Sequence, residues 1–139
     1  MAKKTEAYVD TSALIAFLDS SDTYHPVFAG LFADPPPLLT SPLVIAEGHG
    51  WFLKRYDHHR ATQFLNFIAE LKVMSVRSVG QDDMAKAARL AKKFADQELT
   101  LADAMGLLLM EERKIKICWS TDRHLGLTGV PLVIHQVRG

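Results

Sequence analysis

Four carboxylates, Asp10, Glu47, Asp103 and Asp122, stand where an acidic side chain needs a reason. Asp10 directly follows the apolar run Ala7-Tyr8-Val9, and Asp122 comes two residues after the run Ile115–Ser120. Glu47 shares a helical stripe with Val44, Gly48 and Trp51, so it points with apolar and small residues. Asp103 does the same with Gly106, Leu107 and Met110. A carboxylate on a buried stripe is costly unless a cation or hydrogen-bond donors meet it. Purely structural roles compete: Asp10 and Asp122 also suit helix N-caps or Asx turns, and Thr100–Asp103 spells a capping box. The capping box is compatible with a second role. Brought together, the carboxylates would repel by about 4 kcal/mol per pair at 4 Å and an effective dielectric near 20, so the cluster calls for cations. Oxygen ligands favour hard ions, Mg²⁺ or Mn²⁺, over zinc. An acidic, metal-filled crevice suits phosphodiester hydrolysis.

Short apolar runs alternate with helical patterns along the chain. Strands are expected at Ala7–Val9, Leu38–Thr40, Val73–Val76, Ile115–Ser120 and Leu132–Ile134. Helices are expected over Thr11–Leu18 (capped by Thr11 or Ser12), His25–Ala33, Pro42 to about Tyr56 after Ser41, and His58–Glu70 after Asp57. Two more follow, over Gln81–Ala95 and from Thr100 to about Lys114. Pro35-Pro36-Pro37 marks a loop. This alternation indicates an α/β fold with a mostly parallel sheet covered on both faces. In such sheets ligands gather at the carboxyl ends of the strands, which is where Asp10 and Asp122 fall.

The 139 residues suit one domain, which at this size buries roughly 68–70% of the unfolded chain's surface. Hydrophobic residues at 48% and charged residues at 23% exclude a disordered or fibrous chain. Sixteen basic residues balance sixteen acidic ones, so any attraction for nucleic acid must be local. Cys118 is the sole cysteine, which excludes an internal disulfide and fits a reduced, cytoplasmic setting. Apolar runs are too short for a membrane span, and Asp10 and Asp19 spoil any signal-peptide pattern.

The stretches Tyr8–Asp19, Val44–Glu47, Leu99–Ala104 and Ser120–His124 resemble, in order and spacing, the four acidic motifs of the PIN-domain nucleases. The stand-alone length is similar to that of the VapC-type toxins. The resemblance implies a three-layer PIN-like fold and a Mg²⁺-dependent endoribonuclease, with Mn²⁺ able to substitute. It also implies a homodimer restrained by a VapB-type antitoxin. Carried over by motif, Asp10, Glu47, Asp103 and Asp122 form the acidic quartet that holds metal, with Asp10 and Asp103 as direct ligands. Thr11, Ser12, Ser120 and Thr121 would donate hydrogen bonds that aim the carboxylates. The rival reading of another class is a catalytically inactive PIN-like module that binds RNA or protein. A receiver-like signalling domain is disfavoured because Arg77-Ser78 stand where its phospho-accepting aspartate would be.

Arg123, His49, Lys54 and Arg55 are candidate substrate contacts, and His58, His59 and Arg60 read as a solvated face that phosphate could also use. The histidines show no zinc-site spacing. Trp51, Phe52, Phe64, Leu65, Phe67 and Ile68 are expected in the core and at a subunit contact, not as a base-stacking platform. Leu14, Phe17 and Trp51 are candidate anchors for an antitoxin tail. Gly48 and Gly50 should each weaken the helix bearing Glu47 by about 1 kcal/mol. Transfer, messenger and ribosomal RNA are all open as substrates; the last is favoured because Glu47-Gly48-His49 resembles a Glu-x-His subgroup of these toxins.

Overall fold

A computed structural model of the chain describes residues 4–136. Four short parallel strands, β1 (Ala7–Val9), β2 (Leu38–Thr40), β3 (Met74–Val76) and β4 (Cys118–Trp119), form a sheet in the order β3-β2-β1-β4. The chain builds outward from β1 through β2 to β3, then crosses back to lay β4 on the other side of β1. Tyr8 pairs with Leu39 on one side and Cys118 on the other. The sheet order therefore reverses between β1 and β4, and a crevice is expected beyond their carboxyl ends.

Period-two alternation splits the strand residues between two cores. Ala7, Val9, Leu38 and Trp119 pack into one core with Phe28, Phe52 and Phe64. That face is covered by α1 (Thr11–Leu18), α2 (His25–Ala33), α3 (Pro42–Arg55) and α4 (His58–Glu70). Tyr8, Leu39 and Cys118 face the other way, toward Met105, Leu109 and Met110 of α6 (Leu101–Arg113), which packs with α5 (Gln81–Lys93). The result is the expected three-layer arrangement, with an all-parallel sheet.

Several local expectations need correction. The first position before α1 is Asp10, not Thr11 or Ser12, and its side chain makes no cap bond. Its carboxylate is engaged elsewhere, as described below. The run Ile115–Ser120 yields strand only at Cys118–Trp119. Lys114 turns left-handed (φ 54°) to end α6, and Ile115 N–H donates back to the Met110 carbonyl, so the first residues of the run complete that turn. No strand forms at Leu132–Ile134; Leu132 makes a single parallel bridge to Cys118 and Val133–His135 is a 3₁₀ turn. Pro131 offers its carbonyl to Cys118 N–H but has no N–H to extend the ladder.

Two side-chain clusters fix the helices that flank the site. Gly48 lets α3 approach α4 closely: a Cβ there would lie 2.3 Å from the Phe64 ring. Asp19 is buried just after α1, where it accepts from Ser21 N–H, Ser21 Oγ and Tyr56 Oη. Arg60 donates to the Leu18 carbonyl and lies over the Tyr56 and Phe52 rings, so it is a structural clamp and not part of a solvated face. His58 and His59 beside it are exposed.

Candidate active site

The carboxyl end of β1 delivers Asp10, and that of β4 delivers Ser120 and the turn bearing Asp122. Asp10 is 4% exposed. Ser12 Oγ and Ser120 Oγ donate to its Oδ2 at 2.8 and 2.9 Å. With their single protons so used, the two hydroxyls are free to accept. Ser12 Oγ takes Thr121 N–H and Ser120 Oγ takes Asp122 N–H, both at 2.9 Å. Residues 110 positions apart are thereby laced into one short network.

Asp103 comes from the first turn of α6, where the capping box forms as expected. Its N–H donates to Thr100 Oγ1 (3.1 Å), and Thr100 N–H donates to its Oδ2 (3.3 Å). The cap and a place in the site coexist. Gly106, one turn on, lets α6 press against β1, since a Cβ there would lie 3.0 Å from the Tyr8 ring. Asp122 Oδ1 takes His124 N–H at 3.0 Å and lies 2.8 Å from His124 Nδ1. Asp103, Asp122 and His124 each place one ligand-competent atom within 4.8 Å of the other two.

The electrostatics match an anionic crevice. Burial drives the Asp10 carboxyl up to about 6; its two serine donors oppose the shift and the Asp103 carboxylate adds to it. Burial also raises Asp103, with Asp122 as the next cause. Asp10, Asp103 and Asp122 line a crevice of about 340 Å³, together with Thr11, Ser12, Ile15, Glu47, Trp51 and Thr100.

The donor set fits a hard divalent cation. In each of the three carboxylates one oxygen is held by the bonds above, and the other is left out of them: Asp10 Oδ1, Asp103 Oδ1 and Asp122 Oδ2. Thr11 adds a buried hydroxyl with no hydrogen-bond partner. A nitrogen donor, His124, joins the oxygens, which histidine spacing had not suggested.

Some expected contributors stand differently. Glu47 lines the crevice from its rim and is itself exposed, although Val44 and Gly48 of the same stripe are buried. Of the four hydroxyl donors only Ser12 and Ser120 reach a carboxylate; Thr121 contributes its backbone N–H, and Thr11 Oγ1 is unpartnered. Arg123 turns away, donating to Gln97 Oε1 and lining a separate hollow with Leu127 and Pro131. His49 is half-buried on α3 and lines neither that hollow nor the acidic crevice. Lys54 and Arg55 are exposed in a second hollow that shares Glu47 and Trp51 with the acidic one.

The apolar expectations also divide. Phe52 and Phe64 are buried, Phe67 and Ile68 pack against the core, and Leu65 is exposed. Trp51 also packs against the core and, half-buried, forms part of the crevice wall. Leu14 is fully buried and unavailable to anchor a partner, whereas Phe17 is half-buried and stacks on Phe32 and Phe67. Ile15 lines the crevice in their place. His124 was reachable from sequence only as a loop ligand two residues after Asp122, a spacing that helical templates pass over.

Comparison with known proteins gives a consistent picture. A family model described as PIN domain matches residues 7–129. The chain is 27% identical over 124 residues to Ribonuclease VapC26 of Mycobacterium tuberculosis, covering 83% of this chain and 85% of that protein. Among solved structures, the sarcin–ricin-loop-cleaving toxin VapC20 of M. tuberculosis aligns with TM-score 0.82 at 24% identity, over 89% of this chain and 95% of that one. A toxin–antitoxin complex from Klebsiella pneumoniae aligns with TM-score 0.59 at 21% identity, over 91% and 94% respectively. The two structural likenesses establish a shared fold.

Proposed function

The chain belongs to the PIN-domain family, and we propose that it is a Mg²⁺-dependent endoribonuclease serving as the toxin of a VapBC-type pair. The observation that carries this reading is that Asp10, Asp103 and Asp122 line one crevice at the reversal of the sheet order, where ligand atoms of Asp103, Asp122 and His124 lie within 4.8 Å of one another. The ribonuclease named among its relatives supports the substrate class.

Asp10, Asp103 and Asp122 would hold the cation, with Glu47 joining from the rim directly or through solvent and His124 beside Asp122. A hard divalent ion supplies Lewis acidity toward a phosphodiester and neutralises the carboxylates. The chain's own groups set the geometry. Ser12 and Ser120 keep Asp10 in one rotamer, Thr100 N–H does so for Asp103, and His124 for Asp122. Ile15 and Trp51 form an apolar wall that limits solvent on one side.

The proposed setting is the cytoplasm, with RNA as substrate, a homodimer as the working unit and a VapB-type antitoxin as restraint. Among the described residues no helix is long and apolar enough to cross a membrane. The whole of residues 1–139 is read as one PIN-like domain. Purified protein incubated with single-stranded RNA should cleave it with Mg²⁺ or Mn²⁺ and stop in excess EDTA. Cleavage that persists under chelation would overturn the metal mechanism.

A further inference from the structure

The acidic crevice is continued along α3 by a second, larger hollow of about 520 Å³, and the two share Glu47 and Trp51. Glu47, Trp51 and Lys54 lie at offsets of four and seven on one face of the helix, with Arg55 beside them. Seven residues advance about 10 Å along a helix axis. The wall thus runs from carboxylates, past an indole, to two cations. Among the described residues neither Lys54 nor Arg55 forms an ion pair with a carboxylate. Gly50 floors the second hollow: a Cβ added there would have no heavy atom within 4 Å.

We propose that this face of α3 is a subsite for single-stranded RNA, in which Trp51 stacks on a base next to the scissile phosphate and Lys54 and Arg55 take a neighbouring phosphate. The proposal rests on the nuclease reading above and adds where the substrate lies. Three observations favour an RNA occupant. Any aromatic face accepts any base, so stacking suits a strand of undefined sequence. The two cations complement a phosphate chain that the carboxylates alone would repel. The indole is half-buried, pinned edge-on against Phe52 (centroids 4.9 Å) and Tyr56 (6.1 Å), so it is held in place before anything binds.

The Asp10→Asn protein, with cleavage removed, is titrated with a fluorescein-labelled single-stranded decaribonucleotide, following anisotropy and, with unlabelled strand, tryptophan emission. Trp119 is 3% exposed and should stay silent, so quenching reports Trp51. Adding Trp51→Ala should weaken binding by about 5- to 150-fold, whereas Trp51→Phe, which keeps a ring, should retain most of the affinity. Lys54→Gln should flatten the slope of log affinity against log salt by about 0.7. Gly50→Glu starts from a Cβ in open space, so it should weaken binding without lowering the melting temperature, which keeps the test valid if Trp51→Ala misfolds. Unchanged affinity in both Trp51→Ala and Gly50→Glu would overturn the subsite. So would saturable binding of an arginine-rich peptide there with no binding of the RNA, which would mark a protein-docking groove. Wild-type cleavage of the same decamer with Mn²⁺ is scored separately. Cleavage indifferent to Gly50→Glu keeps the nuclease and sinks the subsite, while binding without cleavage does the reverse.

Discussion

Burial lifts the Asp10 carboxyl to about 6 from the 3.8 of a free aspartate in water. The folded state holds the proton more tightly than the unfolded chain. That contribution to stability is complete below pH 3.8 and is lost as pH rises through about 6. At about 1.4 kcal/mol per pKa unit, ionised Asp10 costs the metal-free protein roughly 3 kcal/mol at neutral pH. Asp10→Asn should therefore match the parent near pH 4 and exceed it by an amount of that order at pH 7.5, measured by urea unfolding in EDTA. Equal stabilities at both pH values would show that Asp10 is not strained. Asp103→Asn sets a contrast. Burial, and after it repulsion from Asp122, favours the neutral side chain, but the capping box is worth about 1 kcal/mol to α6. A thermal melt at neutral pH in EDTA decides which wins, and we expect no large loss. Ser120→Ala removes a donor to Asp10 and the acceptor of Asp122 N–H together. Calorimetry should show Mn²⁺ affinity reduced about 10- to 100-fold with the fold intact.

Helix α3 is shaped by two glycines that do opposite things. Gly48 is the contact point with Phe64, whereas Gly50 opens onto solvent. Gly48→Ala should destabilise the protein by about 1–3 kcal/mol through overpacking. Gly50→Ala should stabilise it by up to about 1 kcal/mol through helix propensity. Equilibrium unfolding of the two variants checks both signs. The pair also shows what sequence can and cannot reveal. Helical periodicity placed Glu47, Gly48 and Trp51 on one stripe, and they do share one side of α3. It could not say that Gly48 meets another helix while Glu47 meets a crevice. Likewise α1 is apolar throughout Ala13–Leu18, so nothing in that run distinguished fully buried Leu14 from Ile15, which also lines the crevice. Asp10, Asp103 and Asp122 were legible because strand ends and a cap box are local patterns. The histidine two residues past Asp122, the left-handed Lys114 that shortens β4 and the failure of a strand after Pro131 are local as well, but helix and strand periodicity carries no signal for them.

The whole molecule is organised about the pairing of β1 with β4. If the nuclease reading holds, expression of the chain alone should arrest growth, Asp122→Ala should abolish the arrest, and co-expression of a VapB-type antitoxin should relieve the wild type. Arrest by a protein lacking all four carboxylates would instead point to a binding module. An arginine from the antitoxin would suit the crevice, since its planar fork can engage two carboxylates at once. The lacing of Ser12, Asp10, Ser120 and Asp122 has a further consequence in time. During synthesis β1 emerges long before β4, and six helices separate them. Until β4 slides in beside β1, Asp10 lacks Ser120, and the turn that carries Asp122 has nowhere to sit. On the nuclease reading, a growing chain is thus unarmed for most of its translation.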